Sequence, residues 1–328
     1  MEITLILGNG FDKNLGLKTS YKEFYGWYKN KPSGDKIVDK MKESIRCFVE
    51  GNNKGQEIIN WGDAELALGE FSNSCKDKEE FILCYNDLED KLADYIELQN
   101  RAVKDLIIDE GKVLESIQNI VRAFRIKGYE KIIIHTITLN YTDIDFNTFK
   151  NSNYAKIREK KIYFGNFVHL HGKIGSEITF GVGNISQIIN QSIATELPDG
   201  FVDQIIKIQH DSLTQRNNYE AIDDILERSE AVYIYGWSFG NSDISLINKI
   251  YDFLCMNYRK AAFYNHGFVP KSLIRKSSEA KIYSESKREY ILNMMCQFDN
   301  DAKTRNSIDR CLIVDCNNVF EPLKDIVL

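Results

Sequence analysis

Four short segments of this sequence are rich in polar side chains, three of them also contain glycine, and each comes directly after an apolar run. They are residues 8–12 (Gly-Asn-Gly-Phe-Asp), 138–143 (Thr-Leu-Asn-Tyr-Thr-Asp), 169–172 (His-Leu-His-Gly) and 236–243 (Gly-Trp-Ser-Phe-Gly-Asn-Ser-Asp). If the apolar runs are parallel strands, these segments meet at the carboxyl edge of one sheet, where ligands bind in open α/β sheets. We therefore predict a single ligand crevice built from all four segments.

The glycines in two of these segments suit a phosphate-bearing ligand. Gly8 and Gly10 would let a pyrophosphate approach the backbone, and a helix starting there would supply free N–H groups and the positive end of its dipole. The second glycine-rich turn, at residues 236–240, could hold a phosphate or simply let the chain bend. The pattern Gly-x-Gly-x-x-Gly is incomplete because position 13 is Lys, which argues against an ordinary dehydrogenase.

His171 and Asn140 are the side chains most suited to chemistry. A neutral imidazole near pH 7 can accept a proton, so His171 is a candidate general base, although a histidine can also serve only to satisfy backbone groups at a strand end. Asn140 has a donor and an acceptor, and it could position a ribose hydroxyl or a water. His169 would share a strand face with His171, but no carboxylate or cysteine set at ligand spacing accompanies them, so no metal is expected.

The elements that must position these residues alternate along the chain. Apolar strand patterns occupy residues 3–7, 132–137, 162–170, 231–235, 261–264 and 312–314, and helical patterns occupy 201–228, 243–257 and 284–297. This alternation predicts an α/β fold with a parallel, doubly wound, Rossmann-like sheet. Helical periodicity dominates about residues 20–127, so we predict a Rossmann-like domain at 1–17 plus 128–328 and a helical insertion at 18–127 after the first strand.

Composition limits the possible classes of protein. The chain has 328 residues, of which 43% are hydrophobic, and a net charge of −6, so it can bury a large core and is not a basic protein that coats nucleic acid. Its seven cysteines are scattered without a Cys-x-x-Cys pair, which predicts free thiols in a reducing cytoplasm. No signal peptide and no membrane span are expected, because the apolar runs are too short.

The ordered set of motifs resembles the bacteriophage abortive infection AbiH family. The matching segments are residues 8–12, 18–24, 61–70, 139–142, 169–172 and 235–240, and the resemblance extends from residue 3 to about residue 250. It implies a role in anti-phage defence, with a phage-derived trigger or a defence protein as partner and possible assembly into homo-oligomers.

More distantly, the strand-end motifs resemble the sirtuin-like NAD-binding fold. The resemblance implies that Gly8 and Gly10 hold phosphates, that Asn140 contacts the nicotinamide ribose and a water, and that His171 is the base. The cysteine spacing of the zinc module of sirtuin deacylases is absent, so deacylation is not expected. The resemblance to defence-associated relatives of this fold implies hydrolysis of NAD instead. The residues expected to contact the nucleotide are Gly8, Asn9, Gly10, Phe11, Asp12, Tyr141, Asp143, Gly236, Ser238 and Asp243.

Our leading hypothesis is an effector that cleaves the nicotinamide–ribose bond of NAD, in which Asp12 or Asp143 stabilises the developing positive charge. A second hypothesis is a nuclease effector that uses Asp63 and Glu65 to bind magnesium. A third is a nucleotide-binding sensor without turnover. The insertion would keep the activity off before infection, or it would merely cover one face of the sheet.

Overall fold

The computed structural model describes most of the chain. The described residues are 1–50, 59, 63–103, 108–125, 128–149, 155–157, 160–175, 178–207, 216–256, 259–264, 277–296 and 301–324. Trp61 and Gly62, which belong to one of the family-like motifs, lie outside them.

A seven-stranded sheet forms the centre of the fold. The strands are β1 (Glu2–Leu7), β2 (Lys131–Thr138), β3 (Ala155–Ile157), β4 (Lys160–His169), β5 (Ala231–Tyr235), β6 (Lys260–Tyr264) and β7 (Leu312–Val314). They lie in the order β3-β4-β2-β1-β5-β6-β7. All neighbours pair in parallel except β3, which pairs antiparallel with β4 at the edge. The six predicted strands are confirmed, and β3 is an addition that the sequence pattern did not indicate.

The strand order places a switch point at the centre of the sheet. Counted along the chain, the six parallel strands lie in the order third, second, first, fourth, fifth and sixth. The chain therefore leaves β1 towards β2 and β4 on one side, and then returns to build β5, β6 and β7 on the other. In doubly wound sheets with this order, the crevice opens where the order reverses, which here lies between β1 and β5.

Thirteen helices are described. They are α1 (Asn9–Asn14), α2 (Tyr21–Tyr28), α3 (Lys36–Glu50), α4 (Ala64–Phe71), α5 (Lys78–Val103), α6 (Glu110–Ala123), α7 (Ile144–Phe149), α8 (Gln191–Glu196), α9 (Asp199–Ile205), α10 (Arg216–Arg228), α11 (Ile244–Cys255), α12 (Ser277–Met295) and α13 (Ala302–Cys311). The helix predicted over 201–228 is only partly confirmed: α9 and α10 cover its two ends, and residues 208–215 lie outside the described residues.

The strands carry apolar side chains on both faces of the sheet. In β1, Ile3, Leu5 and Leu7 join a core with α6, whereas Ile6 faces the opposite core with α10 and α11. Successive side chains of a strand point to opposite faces, so a strand buried on both faces needs apolar residues at nearly every position. This requirement explains the continuous apolar run at the N-terminus.

Helices α2 to α5 form a third core with residues that follow strand β4 in the chain. Phe180, Val182 and residues 188–206 pack among these helices, and Tyr85 of α5 donates a hydrogen bond to the Phe180 carbonyl at 2.7 Å. Helix α6, in contrast, packs against the sheet itself. The predicted boundaries at residues 18 and 127 stay a prediction, but the helical layer that the structure describes also includes α8 and α9.

Candidate functional site

A cavity of about 480 Å³ lies where the carboxyl ends of β1, β2, β4 and β5 face helices of the insertion. The structure brings most of the residues selected from the sequence to its wall. These are Gly8, Asn9, Gly10, Asp12, Asn140, Tyr141, His171, Gly236, Ser238 and Asp243. The volume is within the roughly 300–1,000 Å³ range of small-molecule sites.

Phe11 and Asp143 are placed elsewhere. Phe11 is fully buried in the core and packs edge-on against Phe320, with the ring centroids 5.1 Å apart. Since Phe11 lies on a short helix, its side chain points to the sheet while that of Asp12 points to the cavity. Asp143 lines a separate cleft of about 390 Å³, where it forms a 2.9 Å ion pair with Lys173. Neither residue is among those that line the main cavity.

The glycines of β1 and β5 allow two loops to touch. The Gly8 N–H donates to the Tyr235 carbonyl and the Gly10 N–H to the Gly236 carbonyl, both at 2.9 Å. A Cβ on Gly10 would lie 2.4 Å from the Gly236 Cα, and Gly236 has a φ of +70°. Contact between protein loops thus explains these glycines, and two of the amides expected to face a phosphate are already used. Phosphate binding by this turn stays a prediction.

Asn140 and Asp12 form a buried polar pair at the floor of the cavity. The Asn140 Nδ2 donates to Asp12 Oδ1 at 3.0 Å and to the Gly8 carbonyl at 3.3 Å, and Thr142 Oγ1 donates to Asp12 Oδ2 at 2.9 Å. Burial, followed by the nearby charge of Asp145, raises the pKa of Asp12, and the hydrogen bond from Thr142 partly offsets this. Because its amide protons are used, Asn140 can present its Oδ1 as an acceptor to a hydroxyl or a water.

His171 contacts a chain of ion-paired groups that sequence reasoning only partly identified. Its Nε2 lies 3.1 Å from Asp243 Oδ1, and Trp237 Nε1 donates to Asp243 Oδ2 at 3.0 Å. Lys207 was not predicted, yet its Nζ lies 3.3 Å from the same Asp243 Oδ1 and 2.9 Å from Glu65 Oε1. The signal that could have found Lys207 is a lone charge following the apolar pair at residues 205–206.

The insertion supplies carboxyl groups to the site. Asp63 caps the N-terminus of α4, where its Oδ1 accepts a hydrogen bond from the Leu66 N–H at 3.2 Å, and Glu65 lies in the first turn. Both line the cavity opposite the strand ends. The sequence analysis selected these two residues only under the nuclease hypothesis. Both line the cavity because one caps the helix and the other lies in its first turn, and not because they share one face of a helix.

His169 takes a supporting position outside the cavity. His169 is the last residue of β4, and its Nδ1 lies 3.2 Å from the carbonyl oxygen of Asn140. Because a carbonyl oxygen only accepts, Nδ1 is the donor of this hydrogen bond. Its ring packs against Phe167, with the centroids 5.1 Å apart. Because the strand ends at His169, His171 lies beyond the strand, and the expected sharing of one strand face does not hold. His169 instead fixes the backbone of the loop that carries Asn140.

Comparison with protein families identifies the family of this chain. The family model described as bacteriophage abortive infection AbiH matches residues 4–266. This chain belongs to the AbiH family. The match begins in β1 and ends just after β6, so it includes every residue that lines the cavity. Membership supports a role for this AbiH protein in abortive infection, the defence of bacteria against phage. No curated protein matches the chain.

Charge is distributed unevenly over the cavity of this AbiH protein. Lys13 and Lys22 are exposed at its rim, whereas the carboxyl groups of Asp12 and Glu65 are buried. An apolar and aromatic wall, formed mainly by the insertion, completes the lining with Tyr21, Phe48, Leu92, Ile96 and Tyr141. Lys207 is a buried ammonium group at the inner end, where the lining carries four carboxyl groups, those of Asp12, Asp63, Glu65 and Asp243. Carboxyl groups therefore outnumber cations there, and the cavity favours a ligand with anionic groups at its outer end and a ring or a positive charge at its inner end.

In the described part of the chain, no group of three or more His, Cys, Asp or Glu side chains is arranged to hold a metal ion. No described helix combines the length and apolar character needed to cross a membrane.

Asp63 gives the stability of this AbiH protein a specific pH dependence. Burial, and then the Glu65 carboxylate, raise the pKa of Asp63 from 3.8 to about 7. Between these values the folded state keeps a proton that the unfolded chain has lost, so stability falls as the pH rises. The substitution Asp63→Asn preserves the cap and removes the titration. As the pH rises from about 5 to about 8, we expect the free energy of unfolding of this variant to increase by about 2 kcal/mol relative to that of the wild type.

Urea unfolding of both proteins at the two pH values measures this difference. A stability difference that is the same at both values would contradict the assignment of a titrating, buried carboxyl group to Asp63.

Proposed function

We propose that this AbiH protein is an anti-phage effector that hydrolyses the nicotinamide–ribose bond of NAD. The observation that carries the proposal is the polarity of the cavity, with exposed lysines at its rim and buried carboxyl groups at its floor. NAD has a matching polarity, because its pyrophosphate is anionic and its nicotinamide ring is a cation. The proposal also rests on the more distant resemblance to the sirtuin-like fold, which stays a prediction.

In the proposed reaction, water supplies the hydroxyl group that ends on the ribose. As the bond from C1′ to the nicotinamide nitrogen breaks, its electron pair returns to the ring, and nicotinamide leaves as a neutral molecule. Positive charge develops on the ribose, and a buried carboxylate close to it would be strongly stabilising because the surroundings have a low dielectric constant. The oxygen of water bonds to C1′, and the products are nicotinamide, ADP-ribose and one proton.

His171 would accept that proton. Asp243 accepts a hydrogen bond from His171 Nε2 at 3.1 Å, and Lys207, His171 and Trp237 together lower the pKa of Asp243 in spite of its burial. An ionised Asp243 keeps the proton on Nε2, so Nδ1 retains the lone pair that a general base needs. This arrangement is a histidine oriented by a carboxylate, and it recurs in hydrolytic sites of unrelated folds.

Asn140 would orient the ribose and the attacking water. Its Nδ2 is held by Asp12 and the Gly8 carbonyl, so its Oδ1 has a defined direction from which it can accept a hydrogen bond. The high pKa of Asp12 means that this carboxyl resists ionisation until a positive charge appears beside it. A substrate with a cationic ring provides such a charge, and binding would then favour the ionised form of Asp12.

The nuclease alternative receives less support. Glu65 is paired with Lys207 at 2.9 Å, which opposes its use as a metal ligand. A sensor that binds a nucleotide without turnover fits the same cavity and is distinguished by assay. The phage-derived trigger, the defence partner and a homo-oligomer stay predictions, and each would supply the control that a toxic NAD hydrolase requires.

The proposal is tested by incubating purified protein with NAD, with and without phage lysate, and measuring nicotinamide and ADP-ribose by chromatography. We expect stoichiometric release of both, reduced at least about 100-fold by Asn140→Ala, because a lost positioning contact misaligns the reacting groups. The matched control is Asp143→Asn, in the separate cleft, which should keep the wild-type rate. Saturable binding of NAD without release would favour the sensor, and neither binding nor release would reject an NAD site.

A further inference from the structure

Lys207 is a buried charge at the junction between the insertion and the strand ends. Its side chain is 6% exposed, and those of its partners Glu65 and Asp243 are 5% and 12% exposed. A lysine that far from water is retained in the charged state only when carboxylates compensate it. Here one carboxylate comes from α4 of the insertion, and the other comes from the loop after β5.

The backbone places Lys207 accurately between these partners. Its N–H donates to the Val182 carbonyl at 2.9 Å, and the Val182 N–H donates to the Ile205 carbonyl at 2.8 Å. The two segments touch at Gly181, where a Cβ would lie 1.9 Å from the Ile205 carbonyl oxygen. The main chain of Lys207 is therefore held by pairing, and the two carboxylates, Glu65 at 2.9 Å and Asp243 at 3.3 Å, hold its ammonium group.

We propose that Lys207 is a positioning residue that controls the protonation of His171 by acting through Asp243. The inference rests on the proposed function, in which His171 is the base. Lys207 and His171 contact the same oxygen, Asp243 Oδ1, at 3.3 and 3.1 Å. The two groups thus compete to neutralise one carboxylate, and the permanent charge of the lysine leaves the histidine neutral and able to accept a proton.

The charges around the network of Lys207, Asp243, Glu65 and His171 determine whether loss of the lysine favours or opposes protonation of the histidine. Among the described residues, the titratable and charged groups that face it include Asp63 at the N-terminus of α4, Glu65 of α4, Tyr21 of α2, Tyr141 after β2, and Asp243 itself. Without the lysine, Asp243 and Glu65 would be two buried carboxylates, and a proton on His171 would be their nearest source of compensation. A protonated His171 cannot act as a base, so the site would fail at pH values where the wild type works.

The test uses the substitution Lys207→Met, with Lys42→Met as the matched control. Lys42 is similarly buried, with its side chain 7% exposed, and donates to the Lys31 carbonyl at 2.9 Å inside the insertion, but it does not line the cavity. Both variants lose a buried lysine, so both lose stability. Only Lys207→Met should change the titration of His171. The titration is followed by the NMR signal of the His171 ring, and that signal is assigned because it is missing from the spectrum of His171→Ala.

We expect the pH midpoint of the His171 signal to rise by about 1 unit in Lys207→Met and to stay unchanged in Lys42→Met. If the wild type hydrolyses NAD, the acid limb of its rate profile should move by the same amount. A midpoint that does not move, or that moves equally in both variants, would overturn the proposal.

A second variant keeps the inference testable if Lys207→Met fails to fold. Glu65→Gln retains the shape and an acceptor for Lys207 but removes one negative charge, so the midpoint of His171 should fall by about 0.5 unit. A rise or no change would count against the proposal. The NMR titration needs no substrate. A shifted midpoint in a protein that releases no nicotinamide would therefore reject the proposed hydrolysis and leave the role of Lys207 intact.

Discussion

Replacing His171 with alanine should reduce the rate of NAD hydrolysis by at least about 100-fold, because a positioned general base contributes about that factor or more. The imidazole is the group that would take the proton from water, and Asp243 holds it at 3.1 Å in the orientation that this needs. Initial rates of nicotinamide release measure the loss. Calorimetric titration with NAD should show that binding persists, because the rim lysines and the apolar wall are unchanged.

His135→Ala is a closely matched control for this substitution. His135 and His171 are 3% and 4% exposed, and each bonds a carboxylate, Glu2 at 2.9 Å for His135 and Asp243 for His171. Removing either ring leaves a comparable hole and takes one partner from a carboxylate, but of the two histidines only His171 lines the cavity. Equal losses of rate in the two variants would show that stability, not chemistry, explains the effect. An unchanged rate in His171→Ala would remove this residue from the mechanism.

Gly236→Ala should cost at least about 3 kcal/mol of folding free energy. Gly236 has a φ of +70°, which is strained for any residue with a Cβ. The added Cβ would also lie 2.5 Å from the Gly10 Cα, which is main chain and cannot rotate away. Both loops at the switch point would have to separate, so the cavity should be lost together with stability.

Urea unfolding measures this cost, and Gly26→Ala is the control. Gly26 lies in α2 with no atom within 4 Å of an added Cβ. Alanine there should stabilise the protein by about 0.5–1 kcal/mol, because it lowers the entropy of the unfolded chain and favours the helix. A Gly236→Ala variant within about 1 kcal/mol of wild type would show that the two loops can move apart.

Several features of this protein are local and could therefore be predicted from sequence. The apolar runs predicted six strands because a strand buried on both faces has no room for polar residues. The alternation of strands and helices then predicted a parallel sheet, which six of the seven strands form. Since parallel strands end at one edge, the motifs after β1, β2, β4 and β5 had to converge, and the structure places them around one cavity.

These sequence patterns did not determine the direction in which each side chain points just after a strand ends. In residues 8–12, Phe11 enters the core and Asp12 the cavity, because a short helix begins at once and rotates successive side chains by about 100°. Asp143 lies three residues after Asn140, but the loop turns it into a separate cleft with Lys173. A polar motif at a strand end thus identifies the neighbourhood of a site, and loop geometry selects which of its residues face it.

The sequence by itself determined the family, the sheet and the edge at which the candidate site lies. Only the tertiary structure decided that the insertion completes this site. Asp63 caps its helix α4 and Glu65 lies in the first turn of that helix, and Lys207 pairs with Glu65 from a segment about 140 residues further along the chain. The physical reason is that a buried charge is specified by its partners in space. A single lysine beside apolar residues does not reveal which carboxylates will neutralise it.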